Sequence, residues 1–358
     1  MNRSLTRKSI VVGAGGMLAA GLLATTAAAT AANAATVKDA APAARGPAWH
    51  TILSAANGRT PNQIDTVVAT GKTTGWAFLN TATAAYERTG ATAWKKVAFP
   101  GTGGWVNVAG SSSPSNVWAA YESRTGQAPR LYRWDGRKWT LAKSFNGQGL
   151  ITALSVLGPR DVWVFSLNAI YHFNGRTWTK VSSTLQGGSA LNDHNVWAFN
   201  GTDVDHYNGR TWTATNVASL LPAQLPGHGP SALTNILALA PNDVYATGEG
   251  DQTPRGGPGV VLHFNGRTWT KAAESGSFAT ISGESLTSDG KGGFWISSES
   301  FPSRLEGALF HYSAGKITEV NLGAFAYSVS RIPGTAEALA GGFQAGTGTG
   351  SSVVWQFS

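Results

Sequence analysis

The stretch Tyr171-His172-Phe173-Asn174-Gly175-Arg176-Thr177-Trp178-Thr179 decides the fold, because the chain keeps rewriting it. Near-copies stand at His206-Tyr207-Asn208-Gly209-Arg210-Thr211-Trp212 and at His263-Phe264-Asn265-Gly266-Arg267-Thr268-Trp269. Arg133-Trp134-Asp135-Gly136-Arg137-Lys138-Trp139 is a variant. Asn-Gly between two β-rich arms signals a hairpin, since a two-residue type I′ turn needs positive φ at both positions. Such a turn pairs Phe173 with Arg176, His172 with Thr177 and Tyr171 with Trp178. Alternation then puts Tyr171, Phe173 and Trp178 on one sheet face, and His172 with Thr179 on the other. A hairpin with one aromatic face must bury that face against something, and copies of itself are what the sequence supplies.

Working outward, the Trp after each turn marks a repeat: Trp94, Trp139, Trp178, Trp212 and Trp269, with Ile317 as a degenerate sixth, at spacings of 34 to 57 residues. A second marker precedes each: Gly75-Trp76, Asn116-Val117-Trp118, Asp161-Val162-Trp163, Asn195-Val196-Trp197, Asp243-Val244-Tyr245 and Phe294-Trp295. Before it lies a run of small and apolar residues, such as 151–156 or 236–240. The unit is therefore four strands, here lettered A to D: a small inner strand A, a D-V-W strand B, an aromatic strand C and an R-T-W-T strand D. Four-stranded units of this length are propeller blades. Val353-Val354-Trp355-Gln356-Phe357 matches strand C, with no strand D behind it, while Ala48-Trp49-His50-Thr51-Ile52 resembles a strand D. The expectation is an all-β, seven-bladed propeller of four-stranded blades, its last blade closed by the N-terminal strand.

The D-V-W … H-F-N-G-R-T-W-T pattern resembles the kelch and Asp-box type propellers, including the central seven-bladed domain of galactose oxidase and secreted bacterial relatives. The resemblance spans the chain after its leader. Its motifs imply fold rather than activity, and they imply that the Asx-Gly residues brace the C–D turn. The Asp-box pattern S-x-D-x-G-x-x-W is only approximated, because Asp135 sits directly before Gly136. Galactose-oxidase chemistry, which needs a Cys–Tyr crosslink, is excluded by the absence of Cys.

Composition agrees with a turn-rich β protein: 42% hydrophobic residues, 14 Trp, 45 Gly and a charged fraction of only 13% in 358 residues. Without Cys there are no disulfides, thiolate metal sites or cysteine nucleophiles. The first 34 residues read as a signal peptide, with a basic start, an apolar run from Ile10 to Leu23 and an Ala32-Asn33-Ala34 cleavage site. Residues 35–47 read as an Ala/Pro-rich linker and 48–358 as the propeller. A secreted, extracellular bacterial protein is expected, without a membrane span. The formal charge of +8 falls to +5 when Arg3, Arg7 and Lys8 leave with the leader. No stretch of sequence is dense in Lys and Arg, so no nucleic-acid partner is expected.

In a propeller the D–A and B–C connections emerge on one face, and here the long ones fall there while C–D turns are minimal. Candidate ligand-binding residues on that face are Trp105, Arg124, Arg130, His228, Glu249, Asp251, Arg255, Glu299 and Arg304. Trp105 opens strand A of blade 2 after Gly101-Thr102-Gly103-Gly104, at the channel mouth, where an indole can stack on a sugar. His172, His206, His263 and His311 occupy one repeat position and read as structural, hydrogen-bonded across strand pairs. Ser330-Arg331-Ile332-Pro333 matches a sialidase motif but sits in the wrong blade of a different ring. No catalytic residue, metal or cofactor is assigned, since no hydrolase, phosphate-loop or calcium-loop pattern is present. The expected function is a carbohydrate- or polysaccharide-binding, lectin-like module. A polysaccharide lyase or glycoside hydrolase, and a protein-interaction scaffold in a secreted complex, are the alternatives.

Overall fold

The structure, a computed structural model, describes residues 47–56, 62–224, 229–250, 258–275, 283–298, 308–345 and 350–358. Seven sheets of four antiparallel strands account for nearly all of them. Blades 1 to 6 take residues 64–98, 104–144, 151–182, 188–216, 232–275 and 283–320 in order. Blade 7 takes three strands from 325–357 and its outermost from Trp49–Ala56, which pairs antiparallel with Ser351–Phe357. Each inner strand packs against the inner strands on either side, and that of blade 7 meets that of blade 1, so the ring is closed. The expected architecture and the terminal closure both hold.

Seven apolar cores lie between successive blades. The strand B tryptophans Trp76, Trp118, Trp163, Trp197 and Trp295 are 1–4% exposed. Four of them face the strand D Trp of the next blade: Trp76 with Trp139 at 5.1 Å, Trp118 with Trp178 at 6.1 Å, Trp197 with Trp269 at 6.0 Å and Trp295 with Trp49 at 5.1 Å. All four pairs are edge-on, the arrangement the ring quadrupole prefers. Trp49 thus supplies to blade 6 what Trp139, Trp178 and Trp269 supply to their predecessors.

The small inner strands also have a polar reason. Strand A has a ladder partner on one side only, so its outer amides need acceptors. Hydroxyls of the preceding blade provide them: Ser155 accepts from Ala190 N–H at 2.9 Å, Ser189 from Ala238 N–H at 3.1 Å, Ser285 from Val329 N–H at 2.9 Å and Ser328 from Val67 N–H at 2.9 Å. A short hydroxyl on an inner strand therefore serves as an inter-blade bond.

The C–D turn departs from expectation. Phe173 pairs with Trp178, His172 with Thr179 and Tyr171 with Lys180, so Asn174 to Thr177 form a four-residue loop. Asn174 Oδ1 accepts from the amides of Arg176 (3.0 Å) and Thr177 (2.9 Å), and only Gly175 has positive φ, at 88°. The Asn side chain replaces the backbone bond of a I′ turn, as Asx residues do. Asn208, Asn265 and Asp135 cap their turns in the same way. The two-residue turn occurs instead at Ala314-Gly315, where φ is 49° and 78° and Ser313 pairs with Lys316. Because the register moved by two residues, the aromatic and histidine faces remain as predicted.

Candidate functional site

The described part of the D–A and B–C face is richest at blade 2. Its inner strand begins at Gly104, after a bend in which Gly103 takes φ 68°. Gly104 has no room for a side chain: a Cβ would lie 1.9 Å from Glu122 O and 2.7 Å from the Tyr121 ring. The Tyr121 hydroxyl donates to Thr102 O and the Arg124 amide to Gly103 O, which pins the bend to strand B. The glycines thus allow the chain to lie flat on Tyr121 and set Trp105 at the start of the inner strand.

Trp105 is half-buried and pairs across the strands with Glu122. Its Nε1 donates to Asn107 Oδ1 at 3.3 Å, and Asn107 Nδ2 donates to Ile151 O at 2.7 Å, on blade 3. The guanidinium of Arg124 stands 5.5 Å from the indole centroid, while its Nη2 donates to Asn80 O of blade 1 at 2.8 Å. A cation over an indole holds the ring and keeps a positive charge beside it. Glu122, 3% exposed, accepts from Ile151 N–H at 2.9 Å. Burial pushes its carboxyl up to about 7, against the opposing pull of the Ile151 amide. At this seam a carboxylate and an amide do what hydroxyls do elsewhere. Two half-exposed leucines, Leu150 and Leu167 (38% each), lie on the same face of blade 3, joined by Leu167 N–H to Leu150 O.

Of the predicted site residues, the structure brings together Trp105 and Arg124. Arg130 opens strand C of the same blade, half-buried, and donates to Gln127 Oε1 at 3.0 Å. Glu249 ends strand B of blade 5, paired with Ala232 and Gly259, three blades around the ring from Trp105. His228, Asp251, Arg255, Glu299 and Arg304 lie outside the described residues. Sequence reasoning did not place Asn107, Glu122, Leu150 or Leu167 at a site. The one signal available for Glu122 was a carboxylate directly across from an inner-strand Trp.

The repeat histidines are structural. His172, His263 and His311 each bond, through Nε2 at 2.9 Å, to the Asp that begins or precedes strand B: Asp161, Asp243 and Asp289. Each also stacks on the neighbouring strand B ring, His311 on Trp295 at 4.1 Å for example. Where Asn replaces that Asp, its Oδ1 takes the indole N–H instead, as Asn195 does from Trp197 at 2.7 Å. His206 Nε2 then has no partner, and burial lowers its proton affinity. Arg331 of the Arg-Ile-Pro stretch donates from Nε to Thr335 O at 2.6 Å within its own turn. Among the described residues, no three His, Asp or Glu side chains converge as a metal-ligating group, and no helix is long and apolar enough to cross a membrane.

The sequence matches no protein-family model and no curated protein. Its backbone resembles solved propellers. YCF48 from Cyanidioschyzon merolae is 14% identical with a TM-score of 0.57, over 87% of this chain and 98% of that one. Virginiamycin B lyase from Staphylococcus aureus is 10% identical with a TM-score of 0.59, over 86% and 99%. The extracellular domain of the one-component system BT4673 from B. thetaiotaomicron is 10% identical with a TM-score of 0.56; it is matched over 84% of this chain and 39% of that one. At such identities the likeness is one of fold, and the chain is a general seven-bladed propeller module.

Proposed function

We propose that this protein is an exported, lectin-like binding module whose ligand is an acidic polysaccharide or glycoconjugate held at the mouth of blade 2. The observation that carries the reading is the Trp105–Arg124 pair. A half-buried indole with its N–H already bonded offers an apolar surface for a sugar ring, and the guanidinium beside it offers a bidentate donor to a carboxylate or sulfate. Export rests on the signal-peptide pattern of residues 1–34. Arg130 opens strand C of the same blade and Glu249 ends strand B of blade 5; His228, Asp251, Arg255, Glu299 and Arg304 are candidates from the sequence alone. The test is retention of the chain on immobilised acidic and neutral polysaccharides. Trp105→Ala and Arg124→Ala should each weaken retention about tenfold or more, and Arg124→Lys should recover only part of it. Unaltered retention in both alanine variants refutes this site, and release of unsaturated or reducing ends would make the protein a carbohydrate-active enzyme.

A second reading, a peptide or protein ligand, is favoured by one observation: the exposed Leu150 and Leu167 stand on this face. A structurally similar propeller, YCF48, is known bound to D1 peptide. Indifference to every glycan, with a protein partner lost on Leu150→Asp, would select it.

A further inference from the structure

The C–D turns bring a set of cations onto the face opposite the candidate site. Arg137, Arg176, Arg210 and Arg267 occupy one position in blades 2 to 5, and in blade 6 Lys316 stands one residue further along the same turn. All five are exposed. The turn uses only the backbone of this residue: the amides of Arg137, Arg176, Arg210 and Arg267 donate to the Asx oxygen at 2.9–3.0 Å. Their guanidinium groups make no hydrogen bond, ion pair or ring contact with any described residue. The fold therefore needs an N–H at this position and nothing of the side chain. Yet a chain with only 13% charged residues places Arg there four times. Asp135, Asp161, Asp193, Asp243, Asp289 and Glu337 stand at or beside the same A–B and C–D turns and keep their charge although each is hydrogen-bonded. The five cations together with Lys72, Lys138, Arg160 and Lys291 of those turns make nine against these six, so the face is net positive.

We infer that the C–D turn face is a docking surface for an anionic lipid membrane. Geometry selects a membrane over a linear polyanion. Equivalent turns of a ring lie at one height along its axis, so the five cations are coplanar, and they sweep five of the seven blades rather than lining a groove. A plane of anionic headgroups meets all five at once, whereas a single strand would have to follow an arc around the disc. The two remaining blades carry no such cation: blade 1 turns through Thr89-Gly90-Ala91-Thr92-Ala93, and blade 7 is sealed by Ala48 and Ser358 bonding each other's backbone. Docked this way, the Trp105 face points away from the membrane and stays open to ligand.

The experiment is co-sedimentation of the leaderless chain, Ala35–Ser358, which keeps every described strand and all seven cores. The vesicles are phosphatidylcholine alone or phosphatidylcholine with phosphatidylglycerol. The expected result is binding only to vesicles with phosphatidylglycerol, released by salt as the Debye length shrinks. The variant with Arg137, Arg176, Arg210 and Arg267 all changed to Gln should lose roughly six hundredfold in vesicle affinity, at roughly fivefold per cation. It should melt with the wild type, because the turn amides are retained. Arg124→Gln, on the other face, should bind vesicles normally. Equal vesicle binding by the fourfold variant overturns the inference. So does capture on soluble polyglutamate or heparin with none on phosphatidylglycerol vesicles, which would assign the face to a linear polyanion.

Discussion

Glu122 makes the pH dependence of this propeller predictable. Its carboxyl is buried at the seam of blades 2 and 3, accepting a hydrogen bond from Ile151 N–H, and burial raises it from 4.5 to about 7. The folded state therefore holds this proton more tightly than the unfolded chain. The resulting stabilisation is complete below about 4.5 and is lost as pH rises through about 7. At about 1.4 kcal/mol per tenfold change in proton affinity, the difference is about 3 kcal/mol. A propeller of roughly 310 residues unfolds with an entropy of about 0.65 kcal/mol/K, so the melting temperature should shift by about 5 °C from this group. Glu122→Gln keeps an oxygen to accept from Ile151 and cannot ionise. The assay is thermal unfolding from pH 4.5 to 8.5 for both proteins. They should melt together near pH 4.5, and the variant should gain progressively from there to about pH 7 and stay about 5 °C ahead up to pH 8.5. Parallel curves across the range would show that the carboxyl does not carry a raised proton affinity.

Other consequences are simpler. Trp49→Ala removes the edge-on contact with Trp295 and the last blade's outer anchor, and should destabilise by about 2 kcal/mol, less than a fully buried Trp because Trp49 is half-exposed; an unchanged denaturation midpoint would refute the closure as a stabilising device. Gly175→Val should cost about 1–3 kcal/mol, since φ is 88° and a Cβ there would lie 2.5 Å from Arg160 Cβ, whereas Ala314→Gly should stabilise slightly by relieving φ 49°; equal melting of either variant and wild type would contradict the turn geometry. Asn195→Asp gives His206 the acceptor that its three counterparts have, so its proton affinity, lowered by burial, should rise. Histidine titration by NMR reads this, and an unmoved midpoint would mean that an Asp at position 195 does not reach His206.

By itself the sequence determined the number of blades, the order of strands and the borrowed closing strand. Each blade must present the same aromatic layer to its neighbour, so Trp recurs at fixed places and Trp49 betrays an outer strand far from its blade. It also determined the role of the repeat histidines, since strand C lies well out from the axis on which a shared ion would have to sit. It did not determine the turn: Asn174 can take positive φ or lend its side chain to the next two amides, and the register of Phe173 with Trp178 settles which. Nor did it assemble the blade 2 site, because Glu122 and Asn107 meet Ile151 only across a seam between blades. The cations of the opposite face show the same limit. Arg137, Arg176, Arg210 and Arg267 are 34 to 57 residues apart and form no cluster along the chain. Closing the ring sets them in one plane, because a repeat of sequence becomes a neighbourhood only when the fold brings equivalent turns to the same height.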